Sequence, residues 1–346
     1  MRQKSTLLLA AAAVLALGAA WQFGLRAPAP AVVDIAPGTL VFPGLAGKLA
    51  TIARIEITSK GNTLAIARAG EKWGLADRGG FPVQQDKLRE LLTGLTELRI
   101  TEQRTSDPAQ YSRLGVEDPA ATGTANLLRL LGPDGKSFAE LIVGHRRVRT
   151  QGNVPESIFI RRPGEAQSWL AEGRVPADAD AQLWFERDIA NIQGAKIVRV
   201  VSTRGETVLD FAREDDKLVL KSPTEHPKLD DYRIEEVGRA LESLTLTDVR
   251  PISEQPGEKL GTSVITTASG MVVTATVFQA GADIWVQFAV TGDGEAKAEA
   301  DILAARVKGW AYQVGAWKEK SFVPTIDDLK ASEPEPAAPA APAPSE

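Results

Sequence analysis

The stretch LTELRITEQR, residues 95–104, has a counterpart in LESLTLTDVR, residues 241–250. Four residues of the first stretch recur in the second, each 146 positions later: Leu95 as Leu241, Leu98 as Leu244, Thr101 as Thr247 and Arg104 as Arg250. A constant offset over four positions indicates an internal repeat. The repeat predicts that one structural unit occurs twice in the chain.

The segments before these stretches alternate apolar and polar residues and are broken by turn residues. Residues 52–75 read IARIEITSKGNTLAIARAGEKWGL, and residues 197–220 read IVRVVSTRGETVLDFAREDDKLVL. Most equivalent positions are 145 apart, with a one-residue slip in the first turn. This pattern predicts an antiparallel β-meander of three strands in each unit. Trp73 and Leu218 occupy equivalent positions, so we expect both in the core.

A helical pattern follows each meander, because apolar residues recur at i, i+3, i+4 and i+7. These residues are Leu88, Leu91, Leu92, Leu95 and Leu98 in the first unit, and Ile234, Val237, Leu241 and Leu244 in the second. Asp230 suits the N-cap of the second helix, since its carboxylate can accept a backbone N–H. Its counterpart Gln84 is a poorer cap, so the first helix is expected to begin nearer Asp86. An outgoing strand should follow each helix.

Beyond the outgoing strands the two units differ in length but keep their type. Residues 127–144, LLRLLGPDGKSFAELIVG, predict a hairpin, and SIFIRR, residues 157–162, predicts the next strand. Residues 263–280 and 282–290 play these parts in the second unit. We therefore predict an α+β fold of two duplicated units, each with an antiparallel meander, one amphipathic helix and further hairpins.

The N-terminal region predicts one transmembrane helix. Ser5 to Leu25 is an uncharged run rich in Ala and Leu, which as a helix would cross a hydrocarbon core of ~30 Å. Arg2 and Lys4 precede it, which predicts a cytoplasmic N-terminus and a body outside the cytoplasm. A cleaved signal peptide, with Gly18-Ala19-Ala20 as its cleavage site, is the alternative. The length of the run favours a retained anchor.

These features predict five segments. They are a cytoplasmic stub and transmembrane anchor over 1–26, a Pro/Ala spacer over 27–41, the two α+β units over 42–192 and 193–330, and a disordered Pro/Ala tail over 331–346. The chain is therefore predicted to be a single-pass membrane protein with its N-terminus inside and its body exported.

The composition excludes several classes of function. The chain is 43% hydrophobic and 25% charged, which is typical of a globular protein. A net charge of −5 argues against a nucleic-acid partner. There is no cysteine, and the only histidines are His145 and His226, so thiolate chemistry is excluded and general bases are scarce. We predict no catalytic, cofactor-binding or metal-binding residue set.

One basic segment stands out in this acidic chain. GHRRVR, residues 144–149, groups one histidine with three arginines, namely His145, Arg146, Arg147 and Arg149. An anion or a lipid headgroup would suit these residues, because guanidinium groups match phosphate. An exposed hairpin end with solvated charges is the alternative. His226, in TEHPK, is expected in a surface turn.

Acidic pairs and tryptophans are the remaining candidates. The pairs Asp215-Asp216, Asp230-Asp231 and Asp327-Asp328 lack the alternate spacing of a calcium loop, so we expect solvated turns. Six tryptophans suit either a glycan-binding groove or core packing: Trp73, Trp169, Trp184, Trp285, Trp310 and Trp317.

Three segments carry a resemblance to a known family. FPGLAGKLATIARIEI (42–57), GEKWGLADRGGFPVQQDKLRELLTGLTELRITEQRTSDPAQYSRLGVEDP (70–119) and AELIVGHRR (139–147) resemble the bacterial family described as domain of unknown function 4340. The resemblance extends through residues 158–170 and 183–189. It implies a membrane-anchored, exported protein associated with auxiliary components of gliding-motility-type ABC transport, located in the bacterial inner membrane with a periplasmic body. It implies no catalytic residues.

Three hypotheses for function follow. The first is a non-enzymatic, membrane-tethered periplasmic accessory module that binds protein partners, with an ABC transporter permease or auxiliary subunit as the expected partner. The second is a binding module for an envelope glycan or lipid. The third is a carboxylate-dependent hydrolase, which would need two converging carboxylates in a cleft.

The predicted topology is directly testable. A reporter that is active only outside the cytoplasm, fused after Glu346, should be active, and the protein should resist carbonate extraction from membranes. Release of a mature form that begins near Trp21 would contradict the retained anchor.

Overall fold

The computed structural model describes residues 35–147, 156–254 and 256–331. Over these residues the protein is an α+β fold with few helices, and its strands pair in antiparallel fashion. By their internal contacts the described residues form two compact units. One comprises 35–52, 56–63 and 89–179, and the other comprises 53–55, 64–88 and 180–331.

The first sheet has nine strands in the order β4-β3-β2-β1-β6-β7-β8-β9-β5. The strands are β1 (Arg54–Ser59), β2 (Asn62–Ala69), β3 (Lys72–Leu75), β4 (Phe81–Pro82), β5 (Arg99–Gln103), β6 (Asn126–Leu131), β7 (Ser137–Arg147), β8 (Ser157–Arg161) and β9 (Ser168–Glu172). Two α-helices accompany them, α1 (Gln85–Glu97) and α2 (Tyr111–Leu114).

The second large sheet has eight strands in the order β13-β12-β11-β16-β17-β18-β19-β15. The strands are β11 (Ile197–Arg204), β12 (Thr207–Glu214), β13 (Lys217–Ser222), β15 (Asp248–Pro251), β16 (Glu258–Thr267), β17 (Val272–Ala280), β18 (Asp283–Thr291) and β19 (Trp310–Val314). A two-stranded sheet joins β10 (Asp188–Ala190) to β14 (Leu244–Thr245). The α-helices are α3 (Asp231–Gly238), α4 (Lys297–Val307), α5 (Lys318–Phe322) and α6 (Ile326–Leu329).

The two large sheets have the same strand order, apart from the additional strand β4. Replacing β1, β2 and β3 by β11, β12 and β13, and β5 to β9 by β15 to β19, converts the first order into the second. The predicted meanders, hairpins and outgoing strands all occur at the expected residues. The residues of the two large sheets therefore share a strand order as well as a sequence offset.

The repeated residues of the opening stretches share their burial and their hydrogen bonding. Leu95, Leu98, Leu241 and Leu244 are each at most 1% exposed. The Thr101 hydroxyl donates to the Leu170 carbonyl of β9 at 3.0 Å, and the Thr247 hydroxyl donates to the Gln313 carbonyl of β19 at 3.3 Å. In both sheets the threonine therefore ties the outgoing segment to the neighbouring strand.

The repeated arginine also makes the same contact twice. The Arg104 guanidinium lies 5.6 Å from the ring centroid of Phe159 in β8, and that of Arg250 lies 3.6 Å from the ring centroid of Trp285 in β18. In each sheet the arginine crosses one strand to reach an aromatic ring two strands away. These are cation–π contacts, which favour Trp over Phe.

The second helix is shorter than the sequence predicts. It begins after Asp230, which accepts the Tyr232 N–H as predicted, but it ends at Gly238. Leu241 lies in a turn and Leu244 begins β14, although both side chains are buried. Ser243 has φ of 46°, which a continuous helix from Asp231 to Leu244 would not allow. The first helix begins at Gln85, one residue before the expected position.

The predicted spacer over 27–41 extends too far. Of its described residues, Gly38 and Val41 donate their N–H groups to the carbonyls of Ile100 and Leu98, and Leu40 pairs with Arg99. These bonds place residues 38–41 beside β5, so they belong to the folded body. The sequence missed this pairing because its partner strand lies about 60 residues away.

We predict that Leu95→Ala and Leu241→Ala each lower the free energy of unfolding by about 2–5 kcal/mol, because each leaves a cavity in a core. Val208→Ala is the control, since Val208 is 48% exposed and should change stability by less than about 0.5 kcal/mol. Urea unfolding of the full chain measures all three. An unchanged free energy of unfolding for either alanine variant would contradict the equivalence of Leu95 and Leu241.

Candidate functional site

A groove lies beside β13, the edge strand of the second sheet. It has a volume of about 530 Å³ between β13, helix α3 and residues 226–229, and we call it the β13 groove. Its lining includes Leu218, Val219, Leu220, His226, Lys228 and Tyr232. Tyr232 is 67% exposed at the rim, and Val219 and Leu220 are partly exposed. The groove is therefore open, with apolar side chains along the strand and charged ones along the connecting segment.

In the first sheet the equivalent edge is covered by β4. The pairs are Leu75 with Phe81 and Gly74 with Pro82, and two further bonds run from the Gly80 N–H to the Leu75 carbonyl at 2.8 Å and from the Val83 N–H to the Trp73 carbonyl at 3.2 Å. At an offset of 145 residues, Trp73, Gly74 and Leu75 correspond to Leu218, Val219 and Leu220 of β13. The residues that support β4 in the first sheet thus have their counterparts in the lining of the groove.

The segment that corresponds to β4 takes another path in the second sheet. At an offset of 146, residues 225–229 correspond to 79–83. Leu229 pairs with Lys330, and the Ala331 N–H donates to the Lys228 carbonyl at 3.0 Å. The segment is therefore held against residues 329–331 and not against β13. The space that β4 fills beside β3 is open beside β13.

Backbone conformation explains the different paths. The turn onto β4 passes through Gly79 and Gly80, whose φ angles are 62° and 81°. These left-handed conformations are accessible to glycine at no steric cost. The corresponding residues Glu225 and His226 carry side chains, and neither has positive φ. Residues 225–229 therefore lack the turn that would fold them back onto the edge of β13.

The outer edge of β13 has only part of its hydrogen-bonding capacity satisfied by α3. The Leu218 N–H donates to Glu235 Oε1 at 2.6 Å, so this residue faces away from β12. In an antiparallel pair successive residues face alternate neighbours. Because Leu218, Val219 and Leu220 are paired in unbroken register with β12, Leu220 also directs its N–H and carbonyl into the groove.

Charge in the groove is partly compensated. The Lys217 ammonium lies 3.4 Å from the Asp231 carboxylate, and the Arg213 guanidinium lies 3.5 Å from the carboxylate of Glu235 in α3. Among the residues that the structure describes, Lys228 has no carboxylate within ion-pair distance. The groove therefore offers one uncompensated positive charge to a ligand.

The basic segment at 144–149 is at the end of β7. His145 Nε2 lies 3.4 Å from the Thr124 hydroxyl, and Arg146 lies 3.2 Å from Glu156. Arg147 is exposed, and Arg149 lies outside the described residues. The structure therefore ties the first two side chains to neighbours, and an anion or headgroup contact of this segment stays a prediction.

Gly115 leaves room for the His145 ring, since an added Cβ there would lie 2.8 Å from the ring Cδ2. Nearby, burial raises the pKa of Glu117, but hydrogen bonds from the Thr124 backbone and hydroxyl outweigh it and hold the pKa below its usual value. A charged Glu117 thus accepts two bonds from the residue that also contacts His145.

The acidic pairs have local structural roles. Asp215-Asp216 forms the β12–β13 turn with φ of 46° and 67°. Asp230 caps α3, while Asp328 forms a capping box with Thr325 at the start of α6. Burial raises the pKa of Asp328, but hydrogen bonds from Thr325 and Lys320 outweigh this effect and hold the pKa below its usual value.

The tryptophans are mainly core residues. Trp73, Trp169, Trp184 and Trp285 are at most 9% exposed, whereas Trp317 is 62% exposed. Trp317 covers Lys318, whose Nζ lies 4.6 Å from the indole centroid. Gly315 lies so close that an added Cβ would be 2.5 Å from the indole Nε1.

Lys318 completes the broken end of α3. It is 4% exposed, and its ammonium donates to the carbonyls of Arg239, Ala240 and Glu242 at 3.3, 2.9 and 3.4 Å. These carbonyls follow the last helical residue, where the helix no longer supplies donors to them, although that of Arg239 also accepts the Glu242 N–H at 3.0 Å. Burial lowers the pKa of Lys318, with Glu236 and Glu242 opposing the shift.

Metal sites and membrane spans were sought over the described ranges. No group of three or more His, Asp or Glu side chains there is arranged to hold a metal ion. No helix in the same ranges has the length and apolar character of a membrane span. The predicted anchor, Ser5 to Leu25, and nearly all of the predicted tail lie outside the described residues.

The fold and the groove define an antiparallel α+β protein with an open strand edge. The chain belongs to the family described as Domain of unknown function (DUF4340), whose model matches residues 73–262. The matched range begins in β3 and ends in β16, so it includes the β13 groove. No curated protein and no solved structure matches the chain.

We predict that Lys318→Met lowers the free energy of unfolding at neutral pH by about 1–3 kcal/mol, because three carbonyls lose a buried donor. The folded pKa of Lys318 lies below its unfolded value, so the unfolded chain binds more protons between the two pKa values. The stability of the unsubstituted protein should therefore rise with pH in that window.

Lys308→Met is the control, because Lys308 is exposed. Comparing unfolding from pH 7 to 10.5 should show a pH-dependent difference for Lys318→Met and none for the control. Equal pH profiles for all three proteins would show that the buried ammonium has an ordinary pKa.

Proposed function

We propose that this protein is a membrane-tethered, periplasmic accessory module that acts by binding protein partners and has no catalytic activity of its own. The expected setting is an ABC-type transport or envelope complex, with a permease or auxiliary subunit as partner. The anchor at residues 5–25 would hold the body beside a membrane partner and raise their effective concentration.

The observation that carries the proposal is the β13 groove. It combines a strand edge with outward backbone groups, an apolar wall and a 67% exposed tyrosine at its rim. Exposed strand edges and aromatic rims are typical of sites that bind extended protein segments.

We also propose that the two large sheets arose by duplication of one α+β unit. The 145–146-residue offset, the shared strand order and the repeated threonine and arginine contacts support this origin. After duplication, one copy kept a covered strand edge and the other an open one, so the second copy is the one that suits binding.

A glycan or lipid ligand is the second candidate. Tyr232 at the rim and the uncompensated Lys228 favour it, because aromatic faces stack on sugars and a lysine attracts an anionic headgroup. It would fill the same groove without using the backbone groups of β13.

Complementation of a deletion strain at equal protein levels tests the proposed function. Detaching the body from residues 5–25, or combining Tyr232→Ala with Lys228→Glu, should abolish both the cellular role and co-purification with the transporter subunit. Ile302→Ala is the control, because Ile302 is 66% exposed on α4, away from the lining of the groove. His145→Ala should leave the role largely intact.

Two results would overturn this proposal. One is loss of the cellular role from a single carboxylate substitution with folding and membrane location unchanged, since removal of a catalytic group costs orders of magnitude in rate. The other is full complementation by a body that lacks the tether.

A further inference from the structure

The two repeats treat the same strand edge in opposite ways. In the first, β4 lies antiparallel on β3, with Phe81 opposite Leu75 and Pro82 opposite Gly74. In the second, the equivalent edge of β13 has no such strand, and the β13 groove occupies its place. The chain itself thus shows which kind of segment fits this type of edge.

Strand β4 has the chemistry of an added edge strand. The Gly80 N–H, before the proline, donates to the Leu75 carbonyl, and the Val83 N–H, after the proline, donates to the Trp73 carbonyl. Donors on both sides of the proline therefore bind β3. Proline has no N–H and is therefore confined to positions that do not donate to the ladder. Phe81 packs edge-on against Trp310 with ring centroids 5.0 Å apart, which gives the short strand an apolar anchor.

The β13 groove offers the matching groups. The Leu218 and Leu220 carbonyls and the Leu220 N–H face the groove, by the alternation of β13 with β12. Tyr232 and the partly exposed Leu220 side chain supply an apolar surface, and Lys228 supplies a positive charge. An extended segment with an apolar residue next to a proline and a nearby carboxylate complements all three.

We propose that the β13 groove binds an extended segment of a partner protein as an added antiparallel strand on β13, in the manner of Phe81 and Pro82 on β3. The inference rests on the proposed function and deepens it by naming the chemistry of the bound segment. Main-chain hydrogen bonds to β13 supply affinity, and the groove around Tyr232 selects the side chain.

Site-directed disulfide trapping on the full chain tests this mode. Since the protein has no cysteine, Asp231→Cys places a single thiol in the lining of the groove and leaves Tyr232 in place. The probe is the peptide GGFPVQ, the chain's own sequence at 79–84, with an added N-terminal cysteine and a Gly-Ser linker. In a thiol–disulfide buffer, the trapped fraction measured by intact mass reports local binding.

Ile302→Cys is the control, since Ile302 is 66% exposed on α4 and outside the lining of the groove, and the Asp231 side chain is exposed as well. We expect the Asp231→Cys protein to trap the peptide about tenfold more than the control, because binding raises the local thiol concentration. N-methylation of the peptide at the amide that corresponds to Val83 should reduce trapping about fivefold by removing one ladder hydrogen bond.

A second pair of variants addresses the protein backbone. Leu220→Pro removes an N–H that faces the groove, whereas Leu220→Ala removes only the side chain. Added to Asp231→Cys, the proline should reduce trapping about fivefold relative to the alanine. Thermal unfolding checks the fold of each variant, and if the proline variant unfolds, the N-methylated peptide decides the question alone.

Three outcomes would overturn the inference. Equal trapping of the methylated and unmethylated peptides would mean side-chain docking without strand pairing. Trapping no greater than at Ile302→Cys would mean no binding of such a segment. A tenfold rise in trapping on removal of residues 332–346 would show that the chain's own tail is the natural occupant. Failure of the proposed function is separable, because it appears as lost tether dependence in the complementation assay.

Discussion

Each large sheet depends on holding its outgoing strand at the edge opposite the meander. In the second sheet seven inter-strand spacings separate β13 from β15, or about 34 Å. Helix α3 has eight residues and spans only about 12 Å. Residues 223–230 before the helix and residues 239–247 after it must cover the remaining distance, and Leu241, Leu244 and Thr247 anchor the second of these segments. This constraint explains why the repeat is most visible in these residues.

The free energies of these contacts distinguish the residues that stabilise the fold from those that fix the position of β15. A buried leucine contributes about 2–5 kcal/mol against its alanine variant, whereas a hydroxyl–carbonyl bond contributes about 1 kcal/mol and a cation–π contact about 0.5–2 kcal/mol. The leucines therefore supply most of the stability. The threonine and arginine supply direction, because a hydrogen bond to β19 and a ring contact in β18 are compatible with one register of β15.

The sequence predicted the local and periodic parts of the fold. Alternation with turn residues located both meanders, and the leucine period located α1 to within one residue. The early end of α3 was missed because the carbonyls beyond it accept from the ammonium of Lys318, which lies 76 to 79 residues away in the sequence. Periodicity reports which side chains are buried and does not distinguish a helix from a turn that buries the same leucines.

The groove was missed for a similar reason, although a local signal existed. Residues 225–229 leave β13 because they pair with 329–331, a contact across about 100 residues that no pattern predicts. Yet Gly79-Gly80 corresponds to Glu225-His226 in the sequence, at an offset of 146 residues. The absence of the two glycines that adopt positive φ predicts that the turn onto the strand is absent as well. Under the proposed duplication, a glycine present in only one copy marks a place where the copies diverge in structure.

An open strand edge is a hazard as well as a binding site, since it invites pairing with other chains. Lysines on an edge are the usual protection, and Lys217 and Lys228 flank this one. The same charges that oppose association with a second lysine-bearing edge attract a segment that carries carboxylates. Glu235 already satisfies the Leu218 N–H, so only a short stretch of β13 remains open. A short, charged edge of this kind disfavours indiscriminate strand pairing and leaves room for one complementary segment, which is the behaviour that specific recognition needs.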